Sequence, residues 1–496
     1  MKLSLALALS GASTAAAADC KATTLDFLVL DGDATFAAIE DDIRANLAEV
    51  GITATARFLD RDAYNTDMVA GNFDVVFSQT WGAPYDPHSY VASWTTPDEA
   101  HYGVMSGGTT NLDPETFAED VNSVLSEMDA ATRQDKWTAL LSSVHDEVIH
   151  VPLWGLRIPS VVNKQRLMGY TSGYQQFDYP VHKMKVVSGP KIVTVAPGAQ
   201  TGLFTSVGRL DPHSYRPNEF FANNWVYEGL VAYGANGNIV PSLATSWTSE
   251  STASGGETWR FTLREGVTFH DGAAFDCSVA ELNFDHFWAG SMSGGLRAYH
   301  NWYGLPTVAD SWSCDGEVFE LTTTAAYYPL LQELSFIRPT AMLSPNAFVG
   351  GASSDPLTQN TCPSGSSWSS EVTCAGIAAV AGTGPFSLAY RSGNATAGDD
   401  LVIFKGFADY WGGAPDVEFM HVVKYATASD VYDALDDGSL DAVLGAGALD
   451  PADIKTLQYD SRFDVKHGSE MMTSPRRRPS PTRASRPDVS PQAPSS

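Results

Sequence analysis

The chain has 496 residues, too many for one ordinary hydrophobic core, and its 44% hydrophobic content marks a globular chain rather than a disordered one. A formal net charge of −28 argues against nucleic acid or an anionic membrane surface as a main partner, because both are polyanions; cationic and zwitterionic solutes stay compatible.

At the start, Lys2 precedes an apolar run from Leu3 to Leu9 and small residues ending at Ala18, the order of a secretory signal over residues 1–18. Asp19 before Cys20 argues against a lipid-modified cysteine, and no later apolar run is long enough to span a bilayer. Leu25 to Leu30 reads as a strand. Phe36, Ile39, Ile43, Leu47 and Val50, spaced by three and four, read as an amphipathic helix closed by Gly51. A strand from Ile52 to Phe58, a short helix to Ala70 and a strand from Phe73 to Phe77 complete a β-α-β-α-β layer.

Asp113-Pro114-Glu115 opens a helix whose buried stripe is Phe117, Val121, Val124, Leu125 and Met128. A partner helix carries Trp137, Leu140, Leu141, Val144 and Val148. At Ser188-Gly189-Pro190 the pattern resets and Lys191 to Val195 reads as a new opening strand, so a boundary is expected between 19–188 and 189–470. The alternation in WRFTLREGVTF from Trp259 predicts a half-buried antiparallel strand, hence mixed sheets. The tail 471–496 is rich in proline, serine and arginine and is predicted to be disordered.

The five cysteines show no C-x-x-C spacing, which argues against structural zinc; in an exported chain Cys362 is expected to pair with Cys374 and Cys277 with Cys314. His145 and His150, five apart, would point about 140° from each other on a helix and so could not share a metal as an i, i+4 pair does. Nucleophile-elbow, P-loop and dinucleotide-binding patterns are absent, so no local motif supports an enzyme.

Aromatic, proline-rich turns stand out instead: WGAPYDPH from Trp81 after an apolar strand, and LDPHSY from Leu210. Rigid turns that present Trp and Tyr at strand ends commonly line ligand clefts. Residues Leu210 to Trp247, together with WRFTLREGVTFHDG, AYYPLLQELSFIRP, GTGPF at 382–386 and ADYWGG at 408–413, resemble the first lobe of family 5 extracellular solute-binding proteins. SQTWGAPYDPHSY from Ser78 resembles their second lobe, and the likeness runs from about Leu25 to Val465 with the order of the two lobes exchanged.

The resemblance implies an α/β chain of the two-lobed, type II periplasmic-binding-protein fold with an incomplete second lobe. It implies a secreted, non-enzymatic receptor of an ABC-type importer in the periplasm or on the outer membrane face. Such a receptor traps a short peptide or a nickel chelate by cleft closure and passes it to a permease, peripheral to the membrane and without nucleic acid. No resident cofactor is implied, nickel entering only within a chelated ligand. From the nickel-binding members, the resemblance carries Trp81, Tyr85, Tyr215, Trp302 and Arg338 into the ligand cleft and His101 to the metal. Phe220 stands there where those members have a methionine, which removes a polarisable contact. An arginine between aromatic walls can hold a carboxylate bidentately. The alternative is a truncated or degenerate tandem receptor that folds without binding.

Overall fold

The computed structural model describes residues 24–470 except 33, 78–79, 81, 83–86, 98, 108–109, 154, 156, 176–177, 200–201, 209, 214–219, 293–303, 336–339, 349–377, 395–396 and 446. The 1–18 signal, the 471–496 tail, Cys20, Cys362 and Cys374 lie outside the described residues. The chain is mixed α/β and divides into two compact units, one of Met1–Ser78 with Pro97–Asn111 and one of Gln79–Thr96 with Leu112–Ser496.

In the first unit, strands Thr53–Leu59, Thr24–Leu30 and Val75–Val76 form a parallel sheet in that order, connected by helices Ala34–Glu49 and Arg61–Ala70. The three-four spacing works as expected: Phe36, Ile39, Ile43 and Leu47 pack on Phe27, Val29, Ala54 and Phe77. Val50 does not join that stripe; the helix stops at Glu49 and Val50 is 71% exposed. The strand expected over Phe73 to Phe77 shrinks to two residues, because the Asp74 carboxylate takes the Asp26 N–H at 2.8 Å before the ladder begins. Asp60 caps the second helix and Gly71 ends it at φ 69°, in the left-handed region that glycine adopts at little cost.

In the second unit, helices Pro114–Leu125 and Ala130–Asp146 are capped by Asp113 and Asp129, whose carboxylates accept from Thr116 N at 2.9 Å and Thr132 N at 2.8 Å. Phe117, Val121, Val124, Leu125, Trp137, Leu140 and Val144 are buried; Met128 and Leu141 are more than one-third exposed, and Val148 lies beyond the helix end. A second sheet is antiparallel in the order Ala244–Ser251, Glu257–Leu263, Val318–Thr323, Ala309–Asp315, with Trp259, Phe261 and Leu263 turned inward as alternation requires. The expected Cys277–Cys314 disulfide is present, its Cα atoms 5.8 Å apart, and ties helix Cys277–Met292 to the edge strand.

The largest sheet runs Phe386–Arg391, Leu401–Gly406, Phe419–Val423, Ile192–Ala199, Ala442–Leu444, Arg157–Asn163, Phe463–Glu470, with Gly202–Leu203 paired to Ile192–Ala199. Arg157–Asn163 lies before Ser188 in sequence yet sits between two strands from the end of the chain, antiparallel to both. Segments from both sides of Ser188 thus share this sheet. Arg166 clasps the junction: its Nε meets Asp441 Oδ1 at 2.9 Å and its Nη2 donates to the Pro190 and Ile192 carbonyls at 3.2 and 3.0 Å. The other Asp441 oxygen accepts from Thr194 N at 2.9 Å.

Candidate functional site

Of the seven predicted site residues, Trp81, Tyr85, Tyr215, Trp302 and Arg338 lie outside the described residues. Phe220 is described only as the first residue of helix Phe220–Val226. The nearest described residues around Tyr215, Trp302 and Arg338 form one hydrogen-bonded web.

Leu210, buried and at φ 55°, starts the turn before Tyr215. Left-handed backbone is costly for a branched side chain, and the turn is held by what surrounds it. Tyr227 Oη donates to Leu210 O at 2.7 Å, and Asp211 Oδ1 takes the His213 N–H at 2.9 Å. His213 Nε2 lies 3.0 Å from the Ala341 carbonyl, which can only accept, so that nitrogen carries the proton. In a neutral His213 ring, Nδ1, 2.8 Å from His286 Nδ1, is the acceptor and His286 the donor. Both rings are buried and pack on Phe348.

Two residues after Trp302, Gly304 N donates to Glu333 Oε1 at 3.0 Å and Leu305 N to Glu333 Oε2 at 2.9 Å, while the Tyr327 hydroxyl also bonds Glu333. Burial pushes the Glu333 carboxyl up to about 7, against the lowering effect of these donors. Two residues after Arg338, the Thr340 hydroxyl reaches the Glu333 and Leu334 carbonyls at 3.4 and 3.3 Å, and the next residue, Ala341, is the one that bonds His213. The flanks of Tyr215, Trp302 and Arg338 are thus bound to one another.

Tyr328 connects this web to the sequence-early helices. Trp137 Nε1 donates to its hydroxyl at 3.2 Å, the Arg133 guanidinium lies 4.3 Å above its ring, and the ring of His88, three residues after Tyr85, meets it edge-on at 6.3 Å. Burial lowers His88 to about 3, so it is a neutral packing residue at ordinary pH. His101 lies in helix Ala100–Ser106 of the other unit, partly exposed, and among the described residues no three metal-capable side chains cluster.

Sequence reasoning missed Glu228. Its carboxylate accepts from Thr383 Oγ1 at 2.8 Å, Tyr410 Oη at 2.8 Å and Trp411 Nε1 at 2.7 Å, and burial raises it to about 7. The GTGPF and ADYWGG runs thereby acquire a structural cause, since their polar side chains converge on one acid. A Cβ at Gly382 would stand 2.0 Å from the Val226 carbonyl and one at Gly384 2.7 Å from that of Trp225, so both must be glycine. The available signal was an acid embedded in the apolar run VYEGLV. The expected 140° divergence of His145 and His150 also lapses: the helix ends at Asp146, so the two histidines do not share one helical wheel.

Residues 238–479 match the description "Bacterial extracellular solute-binding proteins, family 5 Middle". That match spans just under half of the chain. It is 33% identical over 251 residues to the nickel-binding periplasmic protein of Escherichia coli K12, covering 50% of this chain and 41% of that one. Against the dipeptide-binding protein of the same organism it is 23% identical over 297 residues, covering 55% and 50%. The chain therefore spans about half the length of the curated relatives it matches. Among solved structures it is similar to NikA from Brucella suis in complex with Fe(III)-EDTA, at 29% identity and a TM-score of 0.42 over 54% of this chain and 46% of the other. A second is DppA from Helicobacter pylori in complex with the peptide STSA, at 22% identity and a TM-score of 0.38 over 50% and 45%. Among the described residues no helix is long and apolar enough to cross a membrane.

Proposed function

We propose that the chain is the solute-binding component of an ABC-type importer, a two-lobed receptor of the type II periplasmic class that holds a short peptide or a nickel chelate in a cleft and releases it to a permease. One observation carries this reading: the residues flanking Tyr215, Trp302 and Arg338, far apart in sequence, are hydrogen-bonded into one buried web through His213, Ala341, Thr340 and Glu333. Such a web ties together the described ends of three segments, a support that an aromatic and arginine ligand site requires. The relatives' names give the two ligand classes. The exchanged segment order is compatible with this reading, because Arg157–Asn163 completes the sheet that Ile192–Ala199 belongs to. Export to the periplasm, with His101 approaching the metal of a bound chelate, belongs to the same proposal.

Ligand that binds the folded state alone raises the melting temperature, by about 2.7 kcal/mol of stabilisation at a hundred times Kd. A thermal-shift panel of di- and tripeptides, free histidine with nickel, and glutathione should give at least one saturable rise, weakened by Arg338→Ala. A flat panel overturns receptor function and leaves the truncated, non-binding chain. A rise that survives complete chelation of divalent metal identifies the peptide class; one that needs nickel and is lost in His101→Ala identifies the chelate.

A further inference from the structure

A half-open cavity of about 470 Å³ lies in the second unit between helices His88–Ser93 and Ala130–Asp146, within the roughly 300–1,000 Å³ of small-molecule sites. Its inner wall is Tyr90, Val91, Trp94, Trp137 and Val144, all buried side chains of which three are aromatic. Trp94 stacks on Phe117 at 6.1 Å and 14°, so this indole is braced from behind while it lines the space.

The polar groups deeper in the lining are His150 and Thr80; Gln134, Thr138 and Ser142 are exposed at its mouth. His150 stands edge-on to Tyr90 at 6.3 Å and 5.9 Å from Trp94, and burial lowers its pKa, which leaves a neutral imidazole at pH 7. Thr80 Oγ1, also in the lining, is buried and has no hydrogen-bond partner among the described residues. An unpaired buried hydroxyl is costly unless something supplies the missing bond. Two further lining side chains, His145 and Asp146, are 81% and 80% exposed and lie 3.5 Å apart, at the rim.

The turn that delivers His150 is strained. After Asp146 the helix closes with Val148 N donating to His145 O at 3.1 Å and Ile149 N to Val144 O at 3.2 Å, the closure that favours glycine in the left-handed position. Val148 occupies that position at φ 55° and is 66% exposed, so its side chain gains no burial for the strain. Strain without a packing reward is characteristic of turns kept for what they position, and here the turn leads into His150 and Pro152 of the cavity wall.

We propose that this cavity binds a small neutral ligand built on a flat aromatic ring with one hydrogen-bonding group. The ring would lie against the indoles of Trp94 and Trp137, and its polar atom would pair with Thr80 or His150. The absence of charge in the inner wall selects against anions and cations, which would be stripped of water without a partner. The site uses none of Trp81, Tyr85, Tyr215, Trp302 or Arg338, so its test is independent of the receptor reading.

The probe is 5-fluoroindole, titrated into the full chain and followed by fluorine NMR. Saturable line broadening is expected, at least tenfold weaker for fluoroindole carrying a 3-acetate group. Leu141→Trp, at a position 38% exposed on the cavity edge, should fill the space and weaken binding at least tenfold without shifting the thermal melt. Should that variant unfold, Thr138→Phe on the same edge replaces it. No saturation up to 1 mM, equal affinity in a folded filled variant, or preference for the anion each overturns the proposal. So does self-association of the chain that Leu141→Trp blocks while leaving indole binding intact, since a second copy would then be the occupant.

Discussion

Replacing Glu333 by glutamine tests the web beneath the candidate site. In the folded chain the Glu333 carboxyl is raised from 4.5 to about 7, chiefly by burial, so between those pH values the native state binds a proton that the unfolded chain has released. The stability contributed by Glu333 therefore falls as pH rises through this window and levels off above it. At about 1.4 kcal/mol per pH unit the loss is about 3 kcal/mol. Glu228, also raised to about 7, adds a similar slope. Glutamine does not titrate. Its oxygen, placed where Oε1 was, keeps the bonds from Gly304 N and Tyr327, but its amide nitrogen would face the Leu305 N–H that Oε2 accepted at 2.9 Å. That mismatch costs about 1–3 kcal/mol at every pH. Urea unfolding from pH 4.5 to 8 should thus show Glu333→Gln less stable than the parent in acid, with the gap shrinking toward neutrality. A variant curve parallel to the parent at all pH values would refute a buried, proton-binding Glu333.

Arg166→Ala should destabilise by about 2–4 kcal/mol in denaturant titration, because the Asp441 carboxylate, 8% exposed, loses its cation while the 166–192 junction loses two bonds to Pro190 and Ile192. Cleaving the Cys277–Cys314 disulfide, whose cysteines lie 37 residues apart, should lower stability by about 4 kcal/mol in the chain-entropy treatment, read as a reductant-dependent drop in the urea midpoint. Gly382→Ala should give insoluble or unfolded chain in circular dichroism and solubility assays, since its methyl would sit 2.0 Å from a backbone carbonyl that Gly384 N also uses.

Most local structure was legible in the residues. The Phe36 to Leu47 spacing, the Asp113 cap and the WRFTL alternation each became the element they predict, because helix and strand periods are properties of neighbouring residues. Where expectation and structure part, the cause is tertiary. Val50 and Leu141 fit an apolar stripe by spacing but have no core opposite them. Val148 continues the pattern of the preceding helix yet falls past its end, in the left-handed turn.

For the site, the sequence indicated which turns are unusual, and both lie before the 238–479 segment that the family match covers. It did not show that Glu228 and Glu333 organise them. A buried acid is recognisable only by its donors, and Tyr410, Trp411, Thr383, Gly304 and Tyr327 come from separate stretches of chain.

The sequence by itself determined the elements, the Cys277–Cys314 pair and the motifs of a solute-binding family, because these depend on short-range periodicity and residue identity. Only the tertiary structure decided that Arg157–Asn163 lies among strands from the chain's end, and that His213 bonds Ala341 and Glu333 holds Gly304. Those pairings depend on which distant groups lose water together, and nothing in a residue's neighbours along the chain specifies that.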